Sequence, residues 1–171
     1  DLLFVGGFRH PPNVDAVLWF AREVFPRIRA ARPGMQFHCI GGDVPAEVQA
    51  LSAIDGIRIH GHVPDLQPWL DGCRLSVAPL RYGAGVKGKV NQAMAHGLPV
   101  VATSPAVEGM HLIDGQDALV ADDAGGFADA VLRLHGDEAL WNHIAANGRD
   151  NVARHFSMDA ARGVVGELFL S

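Results

Sequence analysis

Short apolar runs closed by glycine or proline alternate with helical patterns, and this alternation constrains the fold more than any other feature. Four of these runs lack the strict apolar–polar alternation of a strand with one wet face: residues 2–5, 37–40, 75–78 and 100–102, which lie in strands predicted at 2–5, 35–40, 73–79 and 99–102. Such runs are typical of strands covered on both faces, and helical crossovers between them imply a parallel sheet. The pattern therefore predicts an α/β fold, a doubly wound Rossmann-like parallel sheet of about six strands with helices on both faces.

The same pattern places the remaining elements. Two more short strands are expected at 57–59 and 118–120. Asn13 is predicted to cap the first helix, and Pro26 is predicted to interrupt it. A helix over 88–96 is closed by Gly97, and short helices are expected at 45–52 and just before Leu70. Three helices end the chain, at about 126–135, 138–155 and 158–170.

Composition indicates one globular domain over 1–171. The chain is 49% hydrophobic with a formal net charge of −5, which excludes disorder and argues against a nucleic-acid partner. We find no charge-free run long enough for a membrane span and no signal peptide. Cys39 and Cys73 each lie in an apolar run, as buried thiols in a reducing compartment do, so a cytoplasmic location is expected. Because a strand begins at Leu2, we interpret the chain as a fragment of a longer protein.

The segment 79–89, which reads PLRYGAGVKGK, is the most informative for function. Both lysines of the chain, Lys87 and Lys89, lie in it, whereas the twelve arginines are spread along the sequence. No Asp or Glu occurs from Gly72 to Val107, so Arg81 has no acidic neighbour in the sequence to offset it.

Glycines free the backbone of this segment where a strand leads into a helix N-terminus: Gly83, Gly85 and Gly88. Exposed backbone N–H groups, a helix dipole and nearby ammonium groups together favour an anion such as a phosphate or diphosphate. The alternative is a flexible glycine-rich turn whose lysines are simply solvated. The order of residues matches neither a P-loop nor a dinucleotide-binding fingerprint.

Residues 79–103, PLRYGAGVKGKVNQAMAHGLPVVAT, resemble the donor-binding motif in the C-terminal domain of GT-B glycosyltransferases, above all the retaining group 1 family. The opening LLFVGGFRHPPNVDAVLWF resembles that domain's first strand, loop and helix. The segments GHVPDLQPWLDGCRLSVAPL and FSMDAARGVVGELF resemble its middle third and closing helix. The resemblance implies a domain that binds a nucleotide-diphosphate sugar, the donor, without a metal or another cofactor.

The resemblance also implies roles for individual residues. Lys87 and the N–H groups of Gly85 and Val86 would hold the donor diphosphate, with Gly83, Arg81 and Arg9 as further candidates. The loop Gly61, His62 and Val63 would contact the base through its backbone. Glu108 would face the donor sugar, or alternatively supply a charge at a helix N-terminus. Many members carry two glutamates eight residues apart, and these positions hold Ala84 and Gln92 here, so Gln92 would contact the ribose through a neutral amide.

We therefore expect the donor half of an enzyme that transfers a hexosyl or related group with retention, Lys87 stabilising the leaving diphosphate. The acceptor site would lie on an N-terminal domain absent from this chain, so the fragment alone would bind nucleotide but be inactive. The whole protein is expected to be a monomer that associates peripherally with a membrane. Two alternatives stay open: an enzyme domain like that of a nucleotide-sugar 2-epimerase, and a degenerate, non-catalytic GT-B module.

Overall fold

Six parallel strands form one sheet in the order β3-β2-β1-β4-β5-β6. The computed structural model describes residues 1–83 and 87–156. The strands are β1 Leu2–Val5, β2 Phe37–Ile40, β3 Ile57–Gly61, β4 Leu75–Ala78, β5 Val100–Ala102 and β6 Leu119–Val120. The predicted fold class and number of strands are confirmed.

Helices connect successive strands and close the described part of the chain. They are α1 Pro11–Trp19, α2 Phe25–Ala31, α3 Ala46–Gln49, α4 Gln67–Gly72, α5 Gly88–Ala95, α6 Ser104–Val107, α7 Ala124–Gly136 and α8 Glu138–His155. A π-helical segment, Phe20–Val24, joins α1 to α2, and a 3₁₀ turn, Ala50–Ala53, follows α3. No helix within residues 1–83 and 87–156 is both long and apolar enough to cross a bilayer.

The strand order reverses between β1 and β4. β1 pairs with β2 on one side and with β4 on the other, so the chain first builds the sheet outward to β3 and then returns to begin again at β4. Right-handed crossovers in the two directions place their helices on opposite faces and leave a crevice at the carboxyl ends of β1 and β4.

Aromatic packing fills the face of the sheet beneath α1, α2 and α7. Phe20, Phe25, Phe37 and Phe127 are almost wholly buried, and the ring centres of Phe20 and Phe37 are 4.6 Å apart. On the other layer, α5 packs against α8, where Gly148 comes so close to Met94 that a Cβ there would lie 3.1 Å from the Met94 Cε atom. The layers therefore bury β1, β2, β4 and β5, as their unbroken apolar runs predict, whereas the edge strand β3 leaves Arg58 and His60 exposed.

The beginning of the first helix differs from the prediction. Asn13 is not the N-cap, because α1 begins at Pro11 and His10 occupies the cap position. Proline suits the first turn of a helix, where its missing N–H has no partner to lose. The amide of Asn13 instead donates to the Gly7 carbonyl at 2.8 Å. The interruption predicted at Pro26 is confirmed, since the π-helical segment ends just before it.

Other element ends differ by a few residues. The strand predicted at 57–59 continues to Gly61, and the one-turn helix α6 was not predicted. Gly97 ends α5 as predicted, with a positive φ of 82°. The Gly97 N–H donates to the Met94 carbonyl, and the Leu98 N–H donates to the Ala93 carbonyl. The helix predicted at 158–170 lies outside the described residues.

Candidate functional site

A cavity of about 340 Å³ opens in the crevice between β1 and β4. Its walls come from β1 and the turn after it, the first turn of α1, β4, and the first turns of α5. The polar side chains and glycines that line it are Gly6, Gly7, His10, Asn13, Ser76, Lys87, Gly88, Lys89 and Gln92. This is the place where doubly wound sheets bind their ligands.

The start of α5 gives the cavity its charge. Lys87 is the N-cap of α5, and both lysines line the cavity together with the first residue of the helix, Gly88. The Lys87 Nζ lies beside the loop before it, 3.5 Å from where a Cβ on Gly83 would be. None of the described residues that line the cavity is acidic. A helix N-terminus with two ammonium groups and no lining carboxylate favours an anion.

The opposite wall is a narrow turn after β1. A Cβ on Gly6 would lie 2.8 Å from the Asn13 Nδ2, and one on Gly41 would lie 1.9 Å from the Gly6 carbonyl oxygen. The turn therefore fits against β2 only because position 41 is glycine, while a side chain at Gly6 would require Asn13 to move. Sequence analysis did not assign Asn13 or His10 to the site. Their position directly after the first strand's carboxyl end is the signal that could have found them.

Hydrogen bonds hold the end of β4 in place. Buried Thr103 donates through its hydroxyl to the carbonyl oxygen of Leu80, two residues beyond the strand. Ser76 donates to the Leu3 carbonyl at 3.3 Å, which ties β4 to β1 beneath the cavity. The loop that leads to α5 thus starts from a well-supported strand end.

Some of the predicted site residues line or adjoin the cavity, and others lie elsewhere. Lys87 and Gln92 line the cavity, and Gly83 lies beside Lys87. Gly85 and Val86, like Ala84, lie outside the described residues. The remaining candidates are not among the lining residues: Arg9, Gly61, His62, Val63, Arg81 and Glu108.

Two of the outlying arginines are engaged by carboxylates. Arg9 Nε is 2.9 Å from Asp43 Oδ2, with 86% of the arginine side chain exposed. Arg81 donates to both oxygens of Asp15, at 2.9 and 2.5 Å. No acidic residue offsets Arg81 nearby in the sequence, but in three dimensions α1 supplies one.

The base loop and Glu108 occupy other parts of the carboxyl edge. Gly61 ends β3 with a positive φ of 69°, and its carbonyl accepts from the Gly41 N–H at 2.9 Å. Glu108 is exposed at the C-cap of α6. The interpretation of Glu108 as a charge at a helix N-terminus is therefore wrong, since it stands at the other end of the helix.

The described residues contain no group of three or more His, Cys, Asp or Glu side chains that could hold a metal ion. What the cavity provides is a lysine-rich, partly apolar crevice beside a helix N-terminus. It can hold an anionic ligand through the start of α5 and place polar groups of that ligand near Gln92, Asn13 and His10.

Comparison with known proteins identifies the family. Residues 1–137 match the family model described as glycosyl transferases group 1. The chain belongs to this family. A protein of 44.6 kDa from the cps region of Klebsiella pneumoniae is 28% identical over 155 residues, which is 86% of this chain and 40% of that protein. The chain thus spans well under half the length of this relative.

Solved group 1 and related structures share the fold. A mutant of S. aureus TarM, crystallised with fondaparinux, alpha-GlcNAc-glycerol and UDP, superposes with a TM-score of 0.83 at 17% identity, covering 99% of this chain and 35% of that one. The C-terminal domain of the group 1 glycosyl transferase LpcC from Francisella tularensis superposes with a TM-score of 0.70 at 17% identity. That match covers 92% of this chain and 85% of that domain. The predicted GT-B resemblance is confirmed.

Proposed function

We propose that this chain is the donor-binding half of a glycosyltransferase that moves a hexosyl or related group from a nucleotide-diphosphate sugar to an acceptor with retention. The observation that carries the proposal is the cavity at the start of α5, which both lysines line and no described acidic residue lines. Membership of the group 1 family supports sugar transfer as the general activity.

The diphosphate is assigned to the start of α5. Lys87 is the N-cap of α5 and lines the cavity beside the positive end of the helix dipole. This is where we place the negative charge that grows on the leaving diphosphate in the transition state. We propose that Lys87 stabilises this charge without a metal ion, together with the backbone N–H groups of Gly83, Gly85 and Val86. Arg81 and Arg9 are paired with Asp15 and Asp43, which largely offsets their charges, so we assign them to the rim without a direct contact to the diphosphate.

The ribose, base and sugar of the donor are assigned to positions around the proposed diphosphate site. Gln92 lies one turn further along α5 in the cavity lining, so we assign its amide to the ribose hydroxyls. The base is proposed to lie toward Gly61, His62 and Val63 at the end of β3, and the sugar toward Glu108. Because the superposed TarM structure contains UDP, uridine is the first base to test.

The acceptor site is assigned to a second, N-terminal domain, and the reaction to a cleft between that domain and this one. The match to the LpcC C-terminal domain and the 40% coverage of the Klebsiella relative support this division. We expect these 171 residues to bind nucleotide without transferring sugar, and appreciable transfer by them alone would contradict it. The two buried, unpaired cysteines support a cytoplasmic location.

A calorimetric titration of UDP, GDP and ADP into this chain tests the donor site. Lys87→Ala should raise the Kd for the preferred nucleotide about 10- to 100-fold, because a charge-assisted hydrogen bond contributes about 1.5–3 kcal/mol. Arg22→Ala is the matched control: it removes one exposed cation from the π-helical segment, outside the cavity lining, and should leave the Kd unchanged.

The same titration distinguishes the proposed donor site from a second candidate function, a degenerate module that no longer binds a donor. The neutral Gln92 in the lining favours this candidate, since an amide holds ribose hydroxyls less strongly than a carboxylate. Failure of all three nucleotides to bind at millimolar concentration, or equal binding by Lys87→Ala and the native chain, would refute the proposed donor site.

A further inference from the structure

One face of α1 contacts Arg81 and Gly83, which lie in the part of the β4–α5 loop that the structure describes. Pro12, Asp15 and Trp19 follow at spacings of three and four residues, so they share that face. Gly83 packs on Pro12 so closely that a Cβ there would lie 3.2 Å from the Pro12 Cγ. Asp15 accepts the two hydrogen bonds from Arg81, and the Arg81 guanidinium carbon lies 5.7 Å from the centre of a Trp19 ring. The loop is thus attached to α1 at three successive points.

The central attachment has the geometry of a strong ion pair. The guanidinium donates through Nε and one terminal nitrogen to separate carboxylate oxygens, and the Asp15 side chain is only 26% exposed. The hydrogen bond from Arg81 lowers the pKa of Asp15, and the same bond raises the pKa of Arg81. Both groups therefore stay charged across the pH range in which the protein would work.

The loop ends at the residue assigned to the diphosphate. Gly83, packed on Pro12, lies beside the Nζ of Lys87, so the attached part of the loop and the lysine are neighbours in space. Asp15 itself is not among the lining residues of the cavity. Asp15 therefore has no direct contact with a ligand in the cavity, and the side chain it holds, Arg81, belongs to the loop.

We infer that Asp15 is a positioning residue, which through Arg81 holds the β4–α5 loop where Lys87 lines the cavity. The restraint on the loop is a property of the chain without ligand, whereas its effect on nucleotide affinity rests on the proposed function. Two measurements therefore test the two parts separately.

The first measurement is amide hydrogen exchange of the unliganded chain. Asp15→Asn keeps the size of the side chain but loses its charge and one accepting oxygen. Exchange at Val90 and Asn91, whose N–H groups donate to the Lys87 carbonyl where the loop enters α5, should become about fivefold faster, the size expected for losing a partly exposed ion pair. The amides of β2 should keep their protection, which separates a released loop from general unfolding.

The second measurement is the calorimetric Kd for UDP. Asp15→Asn should weaken binding about fivefold. Asp55→Asn is the matched control, because it removes a carboxylate from the Arg29 ion pair just before β3 and should change neither measurement. The double change Asp15→Arg with Arg81→Asp restores opposite charges and should recover most of the protection and the affinity.

Unchanged exchange at Val90 and Asn91 in Asp15→Asn overturns the inference. Faster exchange with an unchanged Kd overturns the role in binding. If the native chain binds GDP or ADP instead of UDP, that nucleotide becomes the probe; if it binds none of the three, the proposed function fails, and the exchange data still decide whether Asp15 restrains the loop. Should Asp15→Asn not fold, Arg81→Lys, which keeps the charge but loses the two-pronged geometry, takes its place in both measurements.

Discussion

Gly41 offers the sharpest test of how the fold shapes the cavity. It follows β2, where the chain passes against the turn after β1, and a Cβ there would lie 1.9 Å from the Gly6 carbonyl oxygen and 2.8 Å from the Gly6 carbonyl carbon. Both contacts are to backbone, so no side-chain rotation can relieve them. In Gly41→Ala, the two strand ends must move apart.

The cost follows from the size of that movement. Ordinary van der Waals contact requires the oxygen and the new Cβ to separate by about 1.5 Å more. The displacement strains the hydrogen bonds from Gly6 N–H to the Ile40 carbonyl and from Gly41 N–H to the Gly61 carbonyl, both 2.9 Å long. Overpacking together with a weakened backbone hydrogen bond should lower the free energy of unfolding by about 2–4 kcal/mol. For a chain of this length that lowers the Tm by about 5–15 °C.

Thermal unfolding followed by circular dichroism measures this directly, and the neighbouring glycine supplies the control. A Cβ on Gly42 would meet its nearest neighbour, the His62 Cβ, at 3.8 Å, so Gly42→Ala should change the unfolding free energy by less than about 0.5 kcal/mol. Because Gly6 lines the cavity, Gly41→Ala should also weaken UDP binding. A Gly41→Ala protein that melts within about 2 °C of Gly42→Ala would refute the reasoning.

Two further predictions concern titrating groups. Burial raises the pKa of the Cys39 thiol to about 12 and also raises the pKa of Cys73. Iodoacetamide at pH 8 should therefore label both thiols only after denaturation. Mass spectrometry that finds Cys39 labelled in the native protein would contradict this. The pKa of His60 is lowered in the folded protein, first by burial and then by the nearby charges of His38 and Arg58. His60 therefore takes up a proton more readily in the unfolded chain than in the folded one. Stability should therefore fall as the pH drops from 7 through the ordinary value of about 6.5, and calorimetry should find a smaller fall in His60→Gln.

The strands and the lysine segment were accessible to sequence analysis because their signals are local. An apolar run without alternation indicates a strand buried on both faces wherever its neighbours lie, and all four such runs form strands. Lysines beside glycines at a strand–helix junction indicate a candidate anion site whatever the rest of the fold is. Lys87 and Lys89 both line the cavity. The start of α1 was missed because Asn13 was judged by its capping preference, whereas Pro11 and Pro12 determine where the helix begins.

The pairing of charges across the sheet could not be predicted in this way. Arg81 and Asp15 are 66 residues apart and meet only because β4 pairs with β1, which sets the β4–α5 loop against α1. The approach of Gly41 to Gly6 likewise depends on the register of β2 beside β1. The sequence alone therefore specifies the class of fold and the segment of lysines and glycines that lines the cavity, since both depend on residues close together in the chain. The tertiary structure decides which charges are already paired and how narrow the cavity is, because those depend on distances between strands.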